Sequence, residues 1–150
     1  MADLRELYQE VILDHHKRPR NCRRPDDANR HADGFNPLCG DKVSVFVRLE
    51  DGVVRDIAFQ GSGCAISTAS ASMMTESLKG KSEAEAARIF ERFRDLVTGK
   101  TPAGGDHPEL GKLAVFEGVR DYPMRVKCAT LAWHTMRAAL AGSREAVATE

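Results

Sequence analysis

Three cysteines occupy similar settings in this chain, and an acidic residue stands beside one of them. The stretches are Pro37-Leu38-Cys39-Gly40-Asp41, Gly61-Ser62-Gly63-Cys64-Ala65 and Arg125-Val126-Lys127-Cys128-Ala129. Each cysteine falls where a turn or loop meets a regular element. Three thiolates and one carboxylate make a four-coordinate set for a zinc-like ion. The set is scattered along most of the chain, unlike the tight pairs of a zinc finger. Such a site needs a fold that positions it in advance, which suggests a metal with a task beyond holding the chain together. Cys39 and Asp41 share the parity of Val43, Val45, Val47 and Leu49. In an extended chain, residues two apart face the same side, roughly 6.5–7 Å from each other. Cys64 lies near a predicted helix N-terminus, where the helix dipole favours a thiolate. Arg125 and Lys127 flank Cys128 and would offset the negative charge left after zinc binds, provided both side chains point inward.

Each of these residues also has a plainer reading. A cysteine in a reducing compartment is often a small buried hydrophobe, and Asp41 alone is as well a solvated turn residue or a strand-start cap. Cys22, in the polar segment Arg20-Asn21-Cys22-Arg23-Arg24, has no motif around it. His15 and His16 end a predicted helix and read as partners of its dipole rather than as ligands. Met73 and Met74 read as core and interface residues, and Trp133 as a packing anchor.

The elements that must carry these residues follow from periodicity. Leu4, Leu7, Tyr8, Val11 and Ile12 recur at helical spacing, with Asp3 and Glu6 as a possible cap. Pro19 ends that helix. Residues 20–37 are polar, broken by Pro25, Gly34 and Pro37, and read as a long loop. Val43 to Leu49 alternate as a half-buried strand, Asp51-Gly52 makes a hairpin turn, and Val53, Arg55, Ile57 and Phe59 lie on one face of the returning strand. Gly61-Ser62-Gly63 breaks that strand. A helix of small residues runs from Cys64 to about Leu78 and is closed by Gly80. Ser82 with Glu85 forms a capping box for the next helix, which buries Ala86, Ile89, Phe90, Phe93 and Leu96. Residues 99–108 read as an exposed loop and Glu109–Phe116 as a short helix. A last helix carries Val126, Ala129, Trp133, Met136 and Leu140, and the tail 143–150 reads as frayed. The plan is α+β, a small antiparallel sheet with helices packed mainly on one face, in one domain of 150 residues.

Composition narrows the function. Lys plus Arg equals Asp plus Glu at 22 each, so the basic surplus of a general nucleic-acid binder is missing. No apolar run approaches the roughly 18 residues of a membrane span. The acidic, amphipathic start Met1-Ala2-Asp3-Leu4-Arg5-Glu6 does not read as a signal peptide. The expected compartment is the cytoplasm, where the 4 cysteines stay reduced and metal or redox chemistry is the better reading of them.

Several stretches together resemble the SufU proteins, the zinc-dependent branch of the U-type iron–sulfur assembly proteins, over nearly the whole chain. They are Leu7-Tyr8 through Val11-Ile12-Leu13-Asp14-His15, Asn36-Pro37-Leu38-Cys39-Gly40-Asp41, Gly61-Ser62-Gly63-Cys64-Ala65-Ile66-Ser67, and Tyr122 through Leu131. The resemblance implies a SufU/IscU-like α+β fold with a metal site at one exposed end, holding zinc through Cys39, Asp41, Cys64 and Cys128. IscU-type scaffolds carry a His where this chain has Lys127, and a chaperone-docking segment that is missing here. Their segment between the second and third motif cysteines is also shorter. All three departures point to the SufU branch.

The function implied is sulfur transfer. A SufS-type cysteine desulfurase makes a persulfide, and the SufU-like protein accepts the outer sulfur and passes it toward a SufB-type scaffold complex. In the family mechanism a desulfurase histidine replaces one thiolate on zinc. By position Cys39 is the freed acceptor here, and Arg125 is the family's candidate for a charged contact near the site. Two other classes use the same ligands: a scaffold for a transient [2Fe–2S] cluster, and a purely structural zinc module, which the dispersed ligands disfavour.

Overall fold

In the computed structural model, residues 4–37, 40–100, 110–142 and 147–148 are described, with side chains described from residue 10 up to residue 142. The chain opens with α1 (Leu4–Lys17) and continues through β1 (Arg30–Asn36), β2 (Asp41–Glu50) and β3 (Val53–Ser62). Then come α2 (Ala65–Leu78), α3 (Glu83–Val97), a 3-10 helix (Gly111–Val119), α4 (Pro123–Leu140) and β4 (Val147–Ala148). The sheet runs in the order β3-β2-β1-β4, antiparallel except for the two-residue β4, which lies parallel to β1.

The β2–β3 hairpin follows directly from its turn. Asp51 and Gly52 both take positive φ, 53° and 74°, the conformation that matches strand twist in a two-residue hairpin loop. From there the register places Val47 against Ile57 and Val45 against Phe59. Ala32, Val43, Val45, Val47, Ile57 and Phe59 are all buried, with α4 across β1 and β2 and α2 beside β3. Nearly every face of α2 is buried, through Ser67, Ala69, Ser70, Ala71, Ser72, Met73, Met74 and Thr75. Small side chains make this possible, because a helix buried on all sides needs neighbours close to its backbone.

α3 and the 3-10 helix form a further helical layer against α4. Phe93 stacks on Trp133 at 4.7 Å and meets Phe116 edge-on at 5.6 Å. The predicted capping box at Ser82 and Glu85 is present in both directions. Trp133 is fully buried, and its indole N–H donates to Ser70 Oγ at 3.1 Å. Ser70 in turn donates to the Ala129 carbonyl. This buried polar bridge fixes α2 against α4, the two helices whose N-terminal parts carry Cys64 and Cys128.

Four expectations are corrected. The stretch 20–37 is not all loop, because β1 occupies Arg30–Asn36. Its buried positions are Ala32, Gly34 and Asn36, while Phe35 faces outward, so the hydrophobic alternation that marks a strand is absent. β3 continues through Gly61 and Ser62 before breaking. The short helix is a 3-10 helix at Gly111–Val119 rather than 109–116. Val147 and Ala148, expected to fray, pair with Gly34 and Phe35. The predicted Asp3–Glu6 cap and most of the loop at 99–108 lie outside the described residues.

Candidate metal centre

Asp41 opens β2 directly opposite Asn36, the last residue of β1. The loop between them is 37–40, closed by a bond from the Gly40 N–H to the Asn36 carbonyl at 2.8 Å. Cys39 belongs to this loop but lies outside the described residues. In the sequence Cys39 stands two residues before Asp41. Parity holds for Asp41: it is 1% exposed, on the buried face with Val43, Val45 and Val47.

Cys64 is the N-cap of α2, with extended backbone at φ −69° and ψ 168°. Its sulfur accepts the Ser67 N–H at 3.4 Å, doing with a thiol what Ser or Asp usually does at this position. Its own backbone N–H donates to Asp41 Oδ1 at 2.9 Å, and Sγ lies 3.7 Å from Asp41 Oδ2. Cys128 is buried in the second turn of α4. One ligand atom each from Asp41, Cys64 and Cys128 can be chosen so that all lie within 4.8 Å of one another. The three residues come from a strand start, a helix cap and a second helix, which explains their spread along the sequence.

The electrostatics suit an anionic sulfur. The Cys64 thiol is lowered from its ordinary 9.0 to about 7, chiefly by the hydrogen bond from the Cys128 side chain. The Ser67 and Ile66 N–H groups at the helix start act in the same direction, while burial and the Asp41 charge oppose them. Two sulfurs and a carboxylate oxygen in this arrangement are donors that zinc accepts.

The remaining sequence candidates fall elsewhere. Arg125 is exposed, and its guanidinium lies over the Tyr122 ring, 4.7 Å from the centroid. Its expected role in balancing the site charge is therefore not what its described contact shows. Cys22 is exposed and bridges Phe59 along the β3 edge. His15 lies in the last turn of α1, as expected, and is buried, with Nδ1 2.7 Å from Ser72 Oγ and Nε2 3.4 Å from Glu76 Oε1. His16 is exposed. Sequence reasoning missed two contributors, the Ser67 N–H and Gly63. The first was legible as the third residue after an N-cap. The second becomes visible only once Asp41 is known to fold back against residues 63–64.

Comparison with known proteins identifies the family. The model of the NifU-like N terminal domain matches residues 7–141. The chain is 41% identical over 140 residues to the zinc-dependent sulfurtransferase SufU of Bacillus subtilis, covering 93% of each chain. It is 40% identical over 147 residues to the iron–sulfur cluster assembly scaffold protein IscU of Streptococcus pyogenes, covering 97% of this chain and 90% of that one. Among solved structures, the SUF-system scaffold protein FiSufU of Fervidobacterium islandicum superposes with a TM-score of 0.82 at 35% identity, covering 90% of this chain and 97% of that one. Whole-length matches at this identity, with the expected fold, show that the chain belongs to the NifU-like N terminal domain family, among its SufU proteins of iron–sulfur cluster assembly.

Proposed function

We propose that this chain is a zinc-dependent sulfurtransferase, a carrier that takes persulfide sulfur from a cysteine desulfurase and hands it on to cytoplasmic iron–sulfur cluster assembly. The observation that carries the reading is the convergence of Asp41, Cys64 and Cys128 within 4.8 Å beside the loop that bears Cys39. It is supported by the relative named a zinc-dependent sulfurtransferase. Cys39, Asp41, Cys64 and Cys128 would hold the zinc, which when bound keeps its thiols deprotonated and lowers their reactivity.

The chain's own residues divide the work. Asp41 and Cys128 are buried and belong to the permanent part of the site. The Ser67 N–H and the Cys128 side chain stabilise a thiolate at Cys64. Cys39 is the acceptor, two residues before Asp41 in the chain. In the transfer step the Cys39 thiolate attacks the outer sulfur of the desulfurase persulfide. The new bond joins Cys39 to that sulfur, the old S–S bond breaks, and the desulfurase cysteine leaves as a thiolate. No oxidant or reductant is consumed. Arg125, exposed beside Tyr122, contributes a positive contact to the incoming partner. The next acceptor is a SufB-type scaffold complex.

A second reading has a specific basis, because the relative at 40% identity is named a scaffold protein. On that reading the same ligands cradle a transient [2Fe–2S] cluster. Metal analysis of the aerobically purified protein, combined with desulfurase turnover in its presence and absence, separates the two. Zinc with stimulated turnover supports the sulfurtransferase. Iron and sulfide in stoichiometric amount with visible absorption, and no stimulation, support the scaffold.

A further inference from the structure

The geometry points to Gly63 as a positioning residue that holds Asp41 as a one-oxygen metal ligand through a backbone clamp. The inference rests on the zinc reading above. The two oxygens of Asp41 are in different surroundings. Oδ1 accepts the Cys64 N–H at 2.9 Å, while Oδ2 faces Cys64 Sγ at 3.7 Å. One oxygen thus accepts from the backbone and the other faces the Cys64 sulfur. A carboxylate held in this way offers a metal one atom, which leaves room for three thiolates in a tetrahedral set.

The clamp depends on what residue 63 lacks. A Cβ at Gly63 would lie 2.7 Å from Asp41 Oδ1, 3.0 Å from its Cγ and 3.3 Å from its Cβ. Gly63 is not among the residues with positive φ, so alanine there meets no backbone strain. The three nearest atoms it would meet all belong to the Asp41 side chain. Asp41 is 1% exposed and has no solvent to swing into. Gly63→Ala therefore pushes Oδ1 off the Cys64 N–H and turns Oδ2 away from the Cys64 sulfur. Gly61 plays a different part: a Cβ there would lie 2.2 Å from the Lys42 carbonyl, so it serves strand contact rather than the ligand.

The test is a double-mutant cycle on zinc affinity, read by competition with a chromogenic chelator in the full chain. Gly63→Ala is expected to weaken zinc binding by roughly 10–100-fold, the usual cost of losing a group that orients a ligand. In an Asp41→Ala background, Gly63→Ala should change affinity by less than about twofold, because the residue it acts through is gone. A second readout needs no metal. Hydrogen exchange of the Cys64 amide in the stripped protein should be slow in wild type and faster in both Gly63→Ala and Asp41→Ala. Full affinity in Gly63→Ala, or equal losses in the two backgrounds, would overturn the clamp while leaving the zinc reading intact. Wild-type protein that binds no zinc would overturn the function itself, and unprotected Cys64 exchange in that protein would remove the clamp as well.

Discussion

Removing Cys128 should change the chemistry of Cys64 even with no metal present. The hydrogen bond from Cys128 is the largest cause of the low Cys64 value of about 7. At pH 7 such a thiol is about half ionised, whereas one at an ordinary 9.0 is about 1% ionised, a ratio of about 50 in thiolate. Intrinsic nucleophilicity falls with pKa, by about eightfold over this interval at a Brønsted slope near 0.45. The net advantage at pH 7 is therefore about sixfold. The assay uses zinc-stripped Cys22→Ser/Cys39→Ser protein, in which Cys64 is the exposed thiol and Cys128 is buried. The initial rate of reaction with an aromatic disulfide is followed against pH. The wild-type site should titrate with a midpoint near 7. Cys128→Ala should move that midpoint upward, and the rate at pH 7 should fall by up to about sixfold. Asp41→Asn should shift it the other way, since the Asp41 charge raises the Cys64 value. A midpoint near 9 in the unsubstituted site, or one that does not move in Cys128→Ala, would refute the assignment of Cys128 as the group that stabilises the thiolate.

Zinc-loaded protein should carry about one ion per chain. At free zinc of about 100 times Kd the bound ion contributes about 2.7 kcal/mol, so chelation should lower Tm by about 5–10 °C for a domain of this size; differential scanning calorimetry checks this. Cys39→Ser should still bind the desulfurase but should not stimulate its turnover, and mass spectrometry should place the added sulfur on wild-type Cys39 and not on Cys22. Burial, its largest cause, lowers the His15 value below its ordinary 6.5, reinforced by Arg20 and Lys112 and opposed by Glu76 and Asp14. The unfolded chain then takes up the proton first as pH falls, so stability is complete above about 6.5 and declines below it, by at most about 1.4 kcal/mol per pH unit. Chemical denaturation from pH 7 to 5 should show that decline in wild type and a flatter profile in His15→Asn.

Much of the fold was legible because local signals agree with one another. The Asp51-Gly52 turn, the Val43–Leu49 alternation and the Ser82–Glu85 capping box each name their own structure, and each is present. β1 was not legible because its hydrophobic code is inverted. Its inward positions are Ala32, Gly34 and Asn36, and Phe35 points away from the core. That choice reflects its neighbours: a Cβ at Gly34 would lie 2.0 Å from Thr135 Oγ1, so α4 packs against bare backbone there. A strand selected for close approach to a helix gives up the bulk that would announce it.

The site divides along the same line. Asp41 and Cys64 were readable as candidate donors from residue type and from their places at element boundaries, whereas Cys128, expected where a loop meets a helix, lies in the second turn of α4. What could not be read was the set of relations between the donors. The Cys64 N–H bond to Asp41 crosses from the last turn before α2 to the first residue of β2, and no local pattern encodes that distance. Arg125 shows the opposite failure. Its charge and its neighbour Cys128 made it an attractive counterion, yet as the third residue of α4 it points to the Tyr122 ring at the helix entrance. Residues three apart share a helix face, so what takes Arg125 from the site is the ring of Tyr122, which its long side chain reaches instead. Cys128 is placed differently, because the Ser70 bridge to Ala129 and Trp133 fixes the rotation of α4 against α2. The turn that carries Cys128 is thereby aimed at the N-cap of the neighbouring helix, where Cys64 stands.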